Sequence, residues 1–319
     1  MKPRLLITES SGMAPEAITM LRRVAEVELA DLTRDELLAA IPLYDAVWVR
    51  LRHRLDAALL GSAARLRLIA SPTTGLDHID LEAAQRAGVA VVSLRGAEEF
   101  LKDVRATAEL TLGLMLALLR HLPEAVHDVR AGGWNRDQFK GRELYRKTVG
   151  IIGFGRLGRI VARYLLAFGA RVVACDPRGV EDAAVEAVSL TTLLAVSDIV
   201  TVHVSLTDET RGLIGAPELG AMKRGAYLIN TSRGDLVDDV ALLAALGSGN
   251  LAGAALDVIT GESATGVANS PLVAYARLHS NLLITPHIGG CTQESMAMTE
   301  VFIAQRVIEM LSNPGKPDV

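Results

Sequence analysis

The sequence is poor in aromatic residues and cysteine, carries no excess of positive charge, and contains no apolar run of membrane-spanning length. Phe, Trp and Tyr make up 4% of its 319 residues, which leaves no platform of rings on which nucleobases would stack. Lys and Arg number 33 against 37 Asp and Glu, for a net charge of −4. A nucleic-acid or anionic-membrane surface would need clustered cationic excess instead. Two cysteines, Cys175 and Cys291, make neither a disulfide framework nor a tetrahedral metal site. The most apolar run, Leu110–Leu119, is about half the ~20 residues that cross a bilayer. The apolar run after Met1 is too short for a secretory signal. No nucleic acid, no membrane, no metal and a cytoplasmic location are therefore the expectations.

What is present reads as a folded protein of two domains: half the residues are hydrophobic and 22% are charged. In the first hundred residues, Arg4–Thr8, Glu26–Leu29, Asp45–Arg50, Leu66–Ala70 and Val89–Val92 read as buried strands. Ala14–Val24, Arg34–Ala40, Asp56–Leu60 and Leu81–Arg86 carry helical spacing between them. Such alternation implies parallel pairing through right-handed crossovers. Ligands bind at the carboxyl ends of strands in these sheets, and Ser71-Pro-Thr-Thr-Gly-Leu-Asp77 occupies one such end. Ala106–Arg120 reads as a helix apolar most of the way round, which must be covered by another domain or another subunit. A second alternation begins at Thr148, with strands at Val149–Ile152, Arg171–Ala174, Ile199–His203, Ala226–Ile229, Gly253–Leu256 and Leu282–Ile284. A last helix covers Gln293–Leu311 and ends at Asn313-Pro314-Gly315.

Thr148-Val-Gly-Ile-Ile-Gly153-Phe-Gly155-Arg156-Leu157-Gly158 is a strand, a Gly-x-Gly-x-x-Gly turn and a helix start. Gly153 permits the tight turn, Gly155 admits a pyrophosphate close to the backbone, and Gly158 lets helix and strand pack. The helix start supplies N–H groups and the positive end of its dipole. Asp176 ends the next strand, where a carboxylate accepts hydrogen bonds from a ribose diol and repels a 2′-phosphate. NAD is expected over NADP. Arg178 would either offset that repulsion or be a solvated surface charge.

Three polar residues stand at the ends of later strands: Arg233, Glu262 and His287. Reduction of a carbonyl needs a proton donor, a cation to bind and polarise an oxo-acid, and an acid that keeps the donor protonated. Each residue alone would suit a surface turn, a solvated loop or a helix cap, but together they supply all three requirements. The other histidines, at 53, 78, 121, 127, 203 and 279, are assigned structural roles.

At these residues the chain resembles the D-isomer-specific 2-hydroxyacid dehydrogenase family over essentially its whole length. The matching segments are Gly75-Leu-Asp-His-Ile-Asp80, Ala106-Thr-Ala-Glu109, Gly150–Gly158, His203-Val-Ser-Leu206, Ile229-Asn-Thr-Ser-Arg-Gly234, Leu256-Asp-Val258 and Thr285-Pro-His-Ile-Gly-Gly290. The resemblance implies two doubly wound parallel α/β domains, a flavodoxin-like substrate domain and a Rossmann NAD-binding domain. It places the first at 1–98, completed by 292–319, and the second at 99–291, with the active site in the cleft between. It implies His287 as acid/base, Glu262 as its partner and Arg233 as the substrate-orienting cation. Thr107, Thr231 and Asp257 are implied on the cofactor side, Asp257 at the nicotinamide carboxamide, and the Thr74 and Gly75 N–H groups at the substrate carboxylate.

Three departures from the family pattern bear on which acid is bound. Ser263 follows Glu262 where proline is usual, Ser205 replaces another proline, and Pro72-Thr-Thr-Gly75 replaces a glycine-rich loop. Arg50 and Arg52 stand at a strand end, as basic residues do in phosphoglycerate dehydrogenases, and would bind a substrate phosphate or be exposed arginines of a turn. The expected partner is a small 2-oxo or 2-hydroxy acid, in a homodimer whose interface includes Ala106–Arg120. The competing expectation is an NAD-sensing protein of corepressor type on the same fold.

Overall fold

The structure, a computed structural model, describes residues 2–262 and 264–312. It divides into two compact units: one runs through Val104 and resumes at Thr292, and the other is Arg105–Cys291. Val104 rather than residue 98 closes the first stretch because Glu98–Leu101 packs onto the first unit. Phe100 there stacks on Phe302 with centroids 4.1 Å apart, and Leu101 is buried.

The first unit holds strands β1 (Arg4–Ile7), β2 (Glu26–Leu29), β3 (Ala46–Trp48), β4 (Leu68–Ala70) and β5 (Ala90–Val92). They form one parallel sheet in the order β2-β1-β3-β4-β5, so the strand order reverses between β1 and β3. Side chains alternate across the sheet. Leu6, Val47 and Ile69 enter one core, while Leu5, Ile7, Trp48 and Leu68 enter the other with Ile303, Ala304 and Val307 of the closing helix Gln293–Ser312. Strands covered on both faces read as continuous apolar runs, which made them legible in the sequence. β2 is the exception: expected to be buried, it is an edge strand with Glu26, Glu28 and Leu29 exposed. Its two carboxylates discourage a further strand from adding there.

The second unit contains β6 (Thr148–Ile152), β7 (Arg171–Cys175), β8 (Glu186–Ala187), β9 (Ile199–Val202), β10 (Ala226–Asn230), β11 (Leu251–Leu256) and β12 (Leu282–Ile284). All pair in parallel, in the order β12-β11-β10-β9-β6-β7-β8, and the order reverses between β6 and β9. β8, two exposed residues at the edge, has no apolar run and was not anticipated. The apolar helix Ala106–Leu119 needs neither a second domain nor a second subunit to cover most of it. Leu112, Leu114, Met115, Leu118 and Leu119 pack in its own unit with Ile151, Ile160, Ile229 and Ala255. Glu109, Gly113 and Arg120 remain exposed. Among the described residues, no helix is long and apolar enough to cross a membrane. Ser263 and the Asn313–Gly315 helix end lie outside the described residues, as does the remainder of the 292–319 segment beyond Ser312.

Candidate active site

β6 runs into Gly153 with φ +92°, a left-handed conformation that suits glycine. A Cβ there would meet the His203 carbonyl oxygen at 2.5 Å, and one on Gly158 would overlap the Gly153 carbonyl. The helix Arg156–Ala167 begins at Gly155 with no side-chain cap on its first N–H groups. Those groups, from Arg156, Leu157 and Gly158, make up the first turn, whose N–H groups a helix leaves without partners within itself. Asp176 follows β7 and braces this turn: Oδ2 accepts the Phe154 N–H at 2.8 Å and Oδ1 the Arg178 N–H at 2.8 Å. The Arg178 guanidinium adds Nε to Oδ1 and Nη2 to Oδ2, both at 3.3 Å. Burial raises the Asp176 carboxyl, and the bonds from Arg178 and Phe154 outweigh it, holding the group below the usual carboxylate range.

Beside the same turn lies His203, whose Nε2 pairs with Thr201 Oγ1 at 2.9 Å. Its buried Nδ1 has no hydrogen-bond partner among the described residues. Burial drives this ring's pKa down to about 3, so it is neutral.

At the end of β10, Asn230 organises the loop that carries Arg233. Its Oδ1 accepts the Ser232 N–H at 3.0 Å and its Nδ2 donates to the Arg233 carbonyl at 2.7 Å. Ser232 Oγ donates to the Val202 carbonyl at 2.7 Å, tying the loop to β9. Thr111 Oγ1 donates to the Thr107 carbonyl at 2.7 Å, so in its 2.9 Å contact with Thr231 it accepts the Thr231 hydroxyl. Gly234 then lies against the Ile259 and Thr260 backbone, where a Cβ would have no room. This contact sets the Arg233 loop against the turn that presents Glu262.

Glu262 and His287 meet. His287 Nδ1 lies 2.5 Å from Glu262 Oε2, and Glu262 Oε1 accepts the Ile259 N–H at 3.0 Å. His287 has φ +53° and donates its N–H to the Asp257 carbonyl at 2.8 Å. Asp257 holds the rest of that loop, accepting from Thr285 Oγ1 at 2.6 Å, Ile288 N–H at 2.9 Å and Gly289 N–H at 2.7 Å. The carboxylate that faces Nδ1 fixes the proton on that nitrogen and leaves Nε2 to exchange a proton with a ligand. No group of His, Cys, Asp and Glu among the described residues is arranged to hold a metal.

The family model described as "D-isomer specific 2-hydroxyacid dehydrogenase, NAD binding domain" matches residues 112–289, more than half of the chain. The chain is 37% identical over 99% of its length to the D-3-phosphoglycerate dehydrogenase of Mycobacterium tuberculosis, and spans 58% of that protein. It is 36% identical to the hydroxypyruvate reductase of Thermotoga maritima, covering 93% of this chain and 95% of that one. The solved TT0316 protein of Thermus thermophilus superposes with TM-score 0.86 at 36% identity, covering 99% of this chain and all of that one. The chain belongs to the D-isomer specific 2-hydroxyacid dehydrogenase family.

The second unit fits the NAD that gives the family model its description. The glycines leave a cradle that side chains would fill, and Asp176 stands at the strand end next to it. Thr107, Thr231 and Asp257 belong to the same unit. Asp257 already receives three hydrogen bonds from the His287 loop, so its evident work is to position that loop.

In the first unit, the expected substrate loop is locked by a chain of hydroxyls. Thr73 Oγ1 donates to the Gly75 carbonyl at 2.8 Å, Ser71 Oγ lies 2.9 Å from Thr73 Oγ1, and His78 Nε2 lies 3.2 Å from Ser71 Oγ. Since Thr73 gives its proton to Gly75, Ser71 donates to Thr73 and His78 Nε2–H donates to Ser71. The loop that lost the family's glycines is thus held by side chains, with Thr74 exposed at its tip. No spacing rule ties His78 to Ser71: the sequence placed Ser71 in this loop and gave His78 a structural role, but not their contact.

Arg50 and Arg52 do not form the open pair of guanidiniums expected of a phosphate site. Arg50 Nη2 meets Glu300 Oε1 at 2.5 Å and its Nη1 donates to the Ser11 carbonyl at 3.1 Å, while Arg52 pairs with Asp31 at 3.2 Å. Glu300 is buried and also accepts the Ala14 N–H at 2.7 Å, so Arg50 neutralises a charge the fold has taken out of water.

Proposed function

We propose that this protein is an NAD-dependent dehydrogenase that interconverts a short 2-oxo acid and its D-2-hydroxy acid. The observation that carries the reading is the 2.5 Å contact of His287 with Glu262, itself steadied by the Ile259 N–H. In reduction, His287 Nε2 gives its proton to the carbonyl oxygen as that oxygen gains charge, and in oxidation it takes the proton back. Glu262 holds the ring by its Nδ1. Arg233 binds the oxo-acid and polarises its carbonyl. NAD, held by Gly153–Gly158 and Asp176, supplies the hydride acceptor in oxidation and, when reduced, the donor. His287→Ala is expected to lower kcat by about 10²–10⁴-fold while NADH binding stays near wild type. A kcat within tenfold of wild type would overturn the assignment.

The substrate we favour has no phosphate, because Arg50 is committed to the buried Glu300 and leaves Arg52, paired with Asp31 in the open, as a single guanidinium. The Thermotoga relative of matching length is named for hydroxypyruvate. A phosphorylated acid is the second reading, favoured by the phosphoglycerate dehydrogenase relatives. Steady-state rates with hydroxypyruvate, glyoxylate and phosphohydroxypyruvate decide between them. We also propose a homodimer, formed through the exposed apolar face that follows Ala106–Leu119: Leu122, Val126 and Val129 are each about half exposed and Trp134 is 89% exposed.

A further inference from the structure

Arg178 was left between two meanings by the sequence, and its geometry is more definite than a surface charge. Asp176-Pro-Arg-Gly179 is a tight turn in which the Gly179 N–H returns to the Asp176 carbonyl at 3.0 Å and Gly179 has φ +93°. The Arg178 N–H caps Oδ1 of Asp176 at 2.8 Å. The turn therefore places the Arg178 side chain next to the carboxylate that precedes it, and the guanidinium folds back to engage both oxygens at 3.3 Å. The same Nη2 stands 3.2 Å from the position a Cβ on Gly155 would take. One guanidinium thus spans the ribose acid and the glycine turn. The neighbouring Arg159 is directed elsewhere, to the Glu181 carbonyl at 2.9 Å and over the Phe154 ring.

An aspartate in this place excludes a 2′-phosphate by charge. Here the exclusion is compensated in advance, because Asp176 and Arg178 form a neutral pair whose acid is 5% and whose base is 78% exposed. To hold a ribose diol, Asp176 must exchange a guanidinium bond for a hydroxyl, and the guanidinium, 78% exposed, can swing into water as it does so. To meet a 2′-phosphate, the guanidinium needs only to turn its planar fork from carboxylate to phosphate. We propose that Arg178 is a specificity-determining residue that admits 2′-phosphorylated dinucleotides, NADP(H), to the site that binds NAD(H).

The test is direct binding, read by nicotinamide fluorescence with NADH and NADPH at fixed ionic strength, on the full chain and on Arg178→Ala and Asp176→Ala. The wild type is expected to bind both, with dissociation constants within about a hundredfold of one another. Arg178→Ala should weaken NADPH by about tenfold or more and leave NADH as tight as before or tighter, since the carboxylate is released to the ribose. Asp176→Ala should tighten NADPH relative to NADH. An NADPH-to-NADH ratio unchanged by Arg178→Ala, or a wild type that binds NADH but not millimolar NADPH, would overturn the proposal. A wild type that binds neither would overturn the cofactor reading along with it.

Discussion

Single side chains in this protein do work that depends on what lies beside them. Glu262 is useful because Ile259 holds one of its oxygens and His287 meets the other. Glu262→Gln keeps the shape but removes the charge that holds the ring, so kcat should fall by about tenfold or more while NADH binding stays near wild type. A kcat equal to wild type would show that Glu262 does not support the proton donor. His203 makes the complementary case, a ring kept neutral by burial. Its folded-state pKa of about 3 lies below the ordinary value of 6.5, so the unfolded chain takes up the proton first as pH falls. Stability is unaffected above 6.5 and declines between 6.5 and 3, at up to about 1.4 kcal/mol per pH unit. Urea unfolding at pH 7.5 and 5 should show this loss in wild type and a smaller one in His203→Gln.

Among elements, the informative joints are those where two loops touch through a residue without a side chain. Gly234 is such a joint, with the Ile259–Thr260 backbone where its Cβ would be. Gly234→Ala must push the Arg233 loop and the Glu262 turn apart. Overpacking costs ~1–3 kcal/mol, and a misplacement near 1 Å costs about a hundredfold in rate. Thermal unfolding should therefore shift by a few degrees while kcat falls far more. A variant with wild-type kcat would mean the two loops are positioned independently. The sequence revealed the glycine turn and the strand ends that carry Arg233, Glu262 and His287, since a strand buried on both faces declares its own limits. It did not reveal partners remote in the chain. Arg50 and Glu300 are 250 positions apart, and nothing in Val47-Trp-Val-Arg50 hints at a buried acid on the closing helix. For the same reason the Ala106–Leu119 helix announced that it was covered without saying by what. The short edge strand β8 lacked the apolar run that made the others readable, while β2 was read with its bounds but as a buried strand.

For the whole molecule, Leu122, Val126 and Val129 on one helix, with Trp134 soon after it in the chain, are apolar side chains that one chain leaves exposed. Leu122–Arg130 has no buried residue at all, and its apolar positions recur at helical spacing on one side. Light scattering at micromolar concentration should give twice the 34.0 kDa chain mass, and Val129→Asp with Trp134→Ser should return it to one chain while the fold persists. Wild type at the mass of one chain would end the dimer proposal.

The division of the chain also sets an order of events. Arg105–Cys291 is continuous and has two hydrophobic cores of its own, whereas the other unit is built from segments on both sides of it. The Arg50–Glu300 pair and the Ala14–Glu300 hydrogen bond close that outer unit only when residue 300 is available. The inner unit can therefore mature while the outer sheet still waits for its last helix, with Leu5, Ile7 and Trp48 lacking their cover. A released chain truncated after residue 291 should thus carry a protease-resistant core beginning near 105 and an N-terminal hundred residues that are cut readily.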